Sequence, residues 1–242
     1  MSTVSIESRD SLDADRPVRI TLHSDHALGS STVHGVTDAA NLFVRFAREG
    51  AFQEVKQDTA ATVSLVPNGA TVDLHDLPAD AATLGVLGRL LLALPTEWSA
   101  ISAQGSPARL PDRALAPLES SLSMVPRLRS LLRAQCEIDT GVGWHCLEVT
   151  RRSGWSARDL TVLQSCADLW LAVCRAGGLS TVTSSLAVTR GDVGMDPPQV
   201  GEDFWSAQIG ANDIQPGAIS ALVNMLDHSV GTRVALDTIS VT

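Results

Sequence analysis

The predicted secondary structure repeats one order of elements along the chain: strand, helix, strand, strand, helix, strand. The order occurs over residues 16–103 and again over residues 137–242, with a connector at 104–136 between them. It is the βαββαβ order of a ferredoxin-like fold. We therefore predict an α+β protein built from two ferredoxin-like half-domains in tandem. Because the residues of the two halves do not align convincingly, one mixed sheet flanked by helices is the alternative.

The first half is predicted from alternation, caps and one turn. Apolar residues alternate over 17–23, which predicts a half-buried strand, and Thr37 is a natural N-cap for a helix that ends near Gly50. Asn68 and Gly69 supply the positive φ that a hairpin turn requires. The remaining predicted elements are strands at 61–66, 70–74 and 98–102 and a helix at about 79–94.

The second half begins with a strand at Trp144–Thr150, in which we interpret Trp144 as a core residue and His145 as pointing outward. Ser156 and Asp159 resemble a capping box, which predicts a helix that runs to about Arg175. The remaining predicted elements are strands at 181–189, 204–209 and 233–241 and a helix that begins near residue 216.

Two segments lie outside these halves. Residues 1–15 are polar and acidic, so they offer little surface to bury and are predicted to form a disordered tail. The connector, 104–136, contains four of the eleven prolines and is rich in arginine. Two helix-like pieces, at about 112–122 and 126–135, indicate a structured linker rather than a flexible tether.

Composition and charge exclude several classes of function. Hydrophobic residues make up 44% of the chain and charged residues 19%, which is typical of a soluble globular protein. No apolar run is long enough to span a bilayer, and we predict a cytoplasmic protein without membrane contact. The net charge of −9 argues against nucleic acid as a partner, because phosphate binding needs a basic surface. The spacing of the four cysteines matches neither a zinc site nor a redox motif, so we expect reduced thiols.

An acidic protein suits a basic partner, whose approach its surface would steer. We predict a protein-binding module, possible examples being an inhibitor or immunity-type protein that neutralises a basic enzyme. The loop at 191–203 is rich in acids, glycine and proline, and tryptophans near it offer contact surface. The predicted binding residues are Trp155, Asp192, Asp196, Glu202, Asp203 and Trp205.

The alternative function is a small-molecule-binding protein or an enzyme with its site at the seam between the halves. His23, His26 and His75 follow predicted strand ends, where functional groups commonly lie. If the strands bring them together, these histidines would bind a transition metal. No other cofactor is predicted, because motifs for nucleotides, serine hydrolysis and zinc proteolysis are absent from the sequence. The oligomeric state stays open.

Overall fold

A computed structural model describes residues 3–7, 18–53, 55–77, 81–95, 100–104, 126–139, 144–180, 193–211 and 217–242. These residues form helices together with two β-sheets, so the α+β class predicted from the sequence is correct. Within the described part of the chain, no helix combines the length and the apolar character needed to cross a membrane.

The first unit contains one sheet and two helices. Its elements are β1 Thr3–Glu7, β2 Val18–His23, α1 Ser30–Arg48, β3 Ala60–Val66, β4 Gly69–His75, α2 Ala81–Leu92 and β5 Ala100–Gln104. The strands are ordered β1-β5-β2-β4-β3, and only the β1–β5 pair is parallel. The strand β1 corrects the prediction of a disordered tail for its five residues, which pair with β5.

The second unit follows the same plan with a more broken edge. Its elements are β6 Gln135–Ile138, β7 Trp144–Thr150, α3 Ala157–Arg175, β8 Val193–Met195, β9 Gln199–Val200, β10 Phe204–Ala211, α4 Gly217–Met225, a π-helical turn at Leu226–Val230 and β11 Thr238–Val241. The strands are ordered β6-β11-β7-β10-β8, and β9 also pairs with β10. Here the parallel pair is β6–β11. In both sheets, therefore, the first strand lies parallel to the last, which pairs antiparallel with the second.

One continuous apolar core joins the two units. It includes Phe43 and Phe52 from the first unit and Trp170 and Leu222 from the second, all fully buried. Arg89 of α2 is also fully buried, and its Nε donates to the carbonyl oxygen of Gly178 at 2.7 Å. Burial lowers the pKa of Arg89 to about 10, so the side chain remains charged at neutral pH.

The connector does not form the helix predicted at 126–135. Residues 126–134 have no regular structure, and β6 begins at Gln135. Side chains of the second unit instead accept hydrogen bonds from main-chain N–H groups that would be bonded within the helix. Asn224 Oδ1 accepts from Arg129 N at 3.0 Å, and Asp227 Oδ1 accepts from Arg133 N at 2.7 Å. Leu131 is consequently 87% exposed.

The first helix also begins earlier than predicted. The helix α1 starts at Ser30, seven residues before the predicted cap Thr37, after an N-cap at Gly29 without a side-chain cap bond. Thr37 lies inside the helix, where its hydroxyl donates to the carbonyl oxygen of Val33 at 3.0 Å. Its side chain therefore returns to the preceding turn, a common alternative to capping for threonine.

Candidate functional site

A shallow groove of about 470 Å³ lies on the second unit, between α3 and the short edge strand β9. Its apolar part is formed by Leu160 and Pro198 together with Val200, which is 51% exposed. The α3 residues in the lining repeat every four positions, as 160, 164 and 168 and as 161 and 165, and therefore share one helix face. The whole lining consists of Leu160, Thr161, Gln164, Ser165, Asp168, Pro198, Val200 and Trp205.

A capping box fixes the start of α3 and with it the position of the groove wall. The Ser156 hydroxyl accepts from Asp159 N at 3.2 Å, and the Asp159 carboxylate accepts from Ser156 N at 3.1 Å. The predicted cap is thus confirmed. The bond from the Ser156 hydroxyl, and less strongly the guanidinium of Arg151 at 2.8 Å, lower the pKa of Asp159.

Trp155 lies directly before this cap and is half-buried. The guanidinium of Arg151 lies 5.1 Å from the centre of its ring, within the range of a cation–π interaction. The indole nitrogen is buried and has no hydrogen-bond partner within the described part of the chain. Arg151 N donates to the carbonyl oxygen of Asp203 at 2.9 Å, so the Trp155 loop contacts the turn that ends the groove.

That turn connects β9 to β10. Gly201 N donates to the carbonyl oxygen of Phe204 at 2.9 Å, and a Cβ at Gly201 would overlap the Phe204 ring. A larger residue at position 201 would therefore force the Phe204 ring to move. Val200 of β9 then pairs with Trp205 of β10, and the residues between them, Glu202 and Asp203, are exposed.

Exposed carboxylates lie in the groove lining or next to it in the chain. They belong to Asp168, Asp196, Glu202 and Asp203, at or within a few residues of the lining. None of them forms an ion pair with another described residue. Asp168 Oδ1 accepts from Gln164 Nε2 at 2.8 Å, a bond that does not neutralise its charge. Arg158, exposed on the first turn of α3, is a nearby base. The groove thus combines an apolar floor with a negative rim.

The structure brings together part of the predicted binding set. Trp155 and Glu202 lie in adjacent loops, as a Cβ built at Gly154 would be 3.5 Å from the Glu202 carbonyl oxygen. Trp205 lines the groove but is only 1% exposed, which corrects the expectation of a partly exposed ring. Asp196 precedes β9, at the other end of the strand from Glu202. Asp192 lies outside the described residues.

The sequence did not single out Leu160, Val200 or the polar residues of α3. Leu160 belongs to the apolar stripe that predicted a buried helix face, and Val200 lies in a loop interpreted mainly through its acids. An amphipathic pattern indicates which residues avoid water, whereas the groove depends on where the edge strand stops covering them.

The predicted metal ligands lie apart. The strands β2 and β4 are antiparallel and Val18 pairs with Leu74. His75 therefore lies beside the start of β2, whereas His23 is its last residue and His26 follows in the next loop. Among the described residues, no group of three or more histidine, cysteine, aspartate or glutamate side chains is arranged to hold a metal ion.

At the seam between the units, described residues at the end of α1 pack closely against the π-helical turn. Gly50, at the end of α1, has φ of 86°, and a Cβ there would lie 2.6 Å from Cβ of His228 in the π-helical turn. Ser229 of the same turn donates through its hydroxyl to the Glu49 carbonyl oxygen at 3.2 Å. His23, in contrast, is exposed on the outer face of the first sheet. His23 therefore lies away from these seam contacts.

Comparisons with known proteins give only weak similarities. No protein family and no curated protein matches this chain. A conserved protein from Enterococcus faecalis V583 is 11% identical, with a TM-score of 0.27 over 93% of this chain and 77% of that one. A putative M16-like peptidase from Alicyclobacillus acidocaldarius is 10% identical, with a TM-score of 0.23 over 91% of this chain and 74% of that one.

The first half of the periplasmic protease PqqL from Escherichia coli is a third such structure. It is 8% identical, with a TM-score of 0.25 over 90% of this chain and 67% of that one. At these identities and TM-scores the similarity supports no statement about the activity of this chain.

Proposed function

We propose that this protein is a non-catalytic protein-binding module whose groove between α3 and β9 takes a basic segment of a partner protein. The observation that carries the proposal is one surface that combines exposed Val200 with unpaired carboxylates on both sides. An apolar centre with a polar rim is the usual anatomy of a protein interface.

The chemistry of the groove favours arginine or lysine from the partner. Both side chains have an apolar stem and a charged end, and they bury the stem while the charge stays near water. Leu160 and Val200 contact the stem in this arrangement, and Asp168 or Glu202 lies on the rim to meet the charge. The net charge of −9 steers a basic protein toward the molecule and repels the phosphates of nucleic acid.

The proposal includes a reducing, cytoplasmic location and an origin by duplication. All four cysteines are free thiols, as expected where disulfides do not persist. The common order of strands in the two sheets supports descent of both units from one ferredoxin-like βαββαβ unit. An inhibitor or immunity-type role is the concrete version of this function.

Differential capture from the native cell tests the proposal. The full-length protein is immobilised at low salt, and bound proteins are quantified by mass spectrometry. We expect a basic protein to be retained by the wild type and reduced at least about tenfold, equivalent to roughly 1.4 kcal/mol, by D168N/E202Q/D203N. The matched control D25N/D38N/D58N removes the same charge from exposed positions of the first unit and should retain the partner.

A second pair of variants tests the apolar part of the groove. V200S should weaken capture, whereas L131S, at a still more exposed apolar residue of the connector, should not. Association should also slow as salt is added, because the rim carboxylates act through water. Equal capture by both charge variants, or a salt-insensitive complex, would contradict the proposed site.

A further inference from the structure

The free edges of the two sheets differ in how well they are protected against pairing. The β8–β9 edge is interrupted by Asp196, Pro197 and Pro198, and β6 is short and contains Glu137. Charge, proline and short length are the usual devices that prevent a free edge from pairing. The strand β3, Ala60–Val66, forms the edge of the first sheet opposite to β1. It has none of these protective features.

The strand β3 is the longest of the edge strands in the described part of the chain and contains neither a charged residue nor proline. Among the described residues it pairs with β4 alone. Its exposed residues are Thr62, Ser64 and Leu65, and Leu65 is 61% exposed although the alternation directs it to the helix side of the sheet. An exposed apolar side chain on an uncharged edge marks a pairing surface.

The hairpin geometry identifies the main-chain groups that face outward. Val66 pairs with Gly69 across the two-residue turn, so Val66 forms the first hydrogen-bonded pair of the hairpin. Hydrogen-bonded and non-hydrogen-bonded pairs then alternate along an antiparallel ladder. The N–H and C=O groups of Ala61, Val63 and Leu65 therefore point away from β4, toward the open side.

We propose that β3 pairs antiparallel with β3 of a second copy of this chain, on a twofold axis through Val63. In this register the large Leu65 lies opposite the small Ala61 of the other copy, in two symmetric contacts. Roughly six main-chain hydrogen bonds join the copies, from the three outward-facing residues of each strand. The two first sheets thereby form one continuous sheet.

Charge explains why a second copy fits this strand. Two molecules of net charge −9 repel each other wherever carboxylates meet. Within β3 and β4 the one acidic residue is Asp73, which pairs with Thr62. Asp73 binds the guanidinium of Arg19 through both oxygens, at 2.6 and 2.9 Å, so its charge is compensated. The edge is thus a place where two copies can approach without facing like charges.

The contact is small, and its affinity should be correspondingly low. One pair of strands buries less than a standard interface, and interfaces of that class are transient. We expect a dissociation constant on the order of 0.1 mM. The dimer leaves the groove on the second unit unoccupied, so the inference does not depend on the proposed function.

Sedimentation equilibrium of the full-length protein, from about 10 μM to 1 mM, tests the dimer. In the proposed register Thr62 lies opposite Ser64 of the other copy. The variants T62E/S64E and T62K/S64K each place like charges opposite one another and should be monomeric. An equimolar mixture of the two should dimerise more strongly than the wild type, because every opposed pair then has opposite signs.

Two controls accompany this experiment. Q135E/Q208E adds the same charge at exposed positions of the second sheet and should dimerise as the wild type does. Thermal unfolding checks that T62E/S64E keeps its fold beside Asp73, and L65K at the exposed leucine provides a second edge variant. A monomeric wild type at all concentrations, or a dimer that survives both like-charge variants, would overturn the proposal. So would a wild type that stays monomeric and instead adds an extended peptide to this edge.

Discussion

The side-chain amide of Asn224 donates from Nδ2 to the main-chain carbonyl of Ala51, 3.2 Å away, and this bond joins the second unit to the first. Asn224 is fully buried. The same Nδ2 donates to the Arg127 carbonyl oxygen at 2.8 Å, while Oδ1 accepts from Arg129 N at 3.0 Å. One amide thus satisfies main-chain groups of α1's following loop and of the connector. The association of the units depends on this polar contact as well as on the apolar core.

Replacing Asn224 with alanine should be strongly destabilising. It leaves main-chain partners of the amide buried and unpaired, and each such group costs on the order of 1–3 kcal/mol. We expect a loss of about 2–4 kcal/mol in the free energy of unfolding, measured by urea denaturation. Asn41, exposed on α1, is the matched control, and N41A should stay within about 0.5 kcal/mol of the wild type. Equal losses for the two variants would contradict the role assigned to Asn224.

Truncation of two tryptophans should reduce the free energy of unfolding by very different amounts. Trp205 is 1% exposed and Trp144 is 67% exposed. We expect W205A to lose about 3–5 kcal/mol of unfolding free energy, as large core truncations do. W144A should lose less than about 1 kcal/mol. The comparison uses urea denaturation followed by circular dichroism, since fluorescence changes with the number of tryptophans. A large loss for W144A would show that the exposed ring carries packing energy.

Local signals in the sequence predicted much of the fold. The alternation in Trp144–Thr150 gives a strand with those bounds, and Ser156 with Asp159 gives the start of α3. Asn68 has φ of 55°, as the hairpin turn requires, whereas Gly69, also predicted to have a positive φ, lies in β4 without one. In each case the deciding interaction lies within a few residues of chain, so the sequence contains all the information needed.

The errors come from interactions between distant segments. Alternation correctly separated Trp144 from His145, but their faces were reversed. His145 shares its face with buried Leu147 and Val149. The burial of these two neighbours, and not the larger ring of Trp144, decides which face of the strand points to the core. The Trp144 ring, on the outer face, instead covers Gly210 of β10, where a Cβ would lie 3.1 Å from the ring.

Predicting the groove would also have required knowledge of contacts between distant segments. Its wall and floor come from α3 and β9, and their approach depends on how β10 pairs with both β9 and β7. The acids at 196, 202 and 203 were visible in the sequence, but the apolar floor between them was not. A connector that is held by Asn224 and Asp227 side chains is likewise invisible to helical periodicity.

The capping box should make stability depend on pH through Asp159. Its pKa is lowered in the folded state, first by the Ser156 hydroxyl and then by Arg151. The contribution is therefore complete above the unfolded pKa, about 4, and is lost as the pH falls through the folded pKa. D159N should be less stable than the wild type at pH 7, and the difference should shrink by pH 3. In an S156A background the difference at pH 7 should be smaller, because the main cause of the shift is absent.

The four thiols should divide into two classes of reactivity. Burial raises the pKa of Cys166 to about 12 and raises that of Cys174 well above its usual value, so neither forms a thiolate at pH 8. Cys146 is half-buried on the outer face of the second sheet and should be alkylated by iodoacetamide in the native protein. Cys136 is also half-buried, but burial and the charges of Asp227 and Glu137 raise its pKa, so it should react more slowly. Peptide mapping by mass spectrometry gives the order, and all four should react in urea. Native alkylation of Cys174 ahead of Cys146 would mean that α3 opens readily, in conflict with its position in the core.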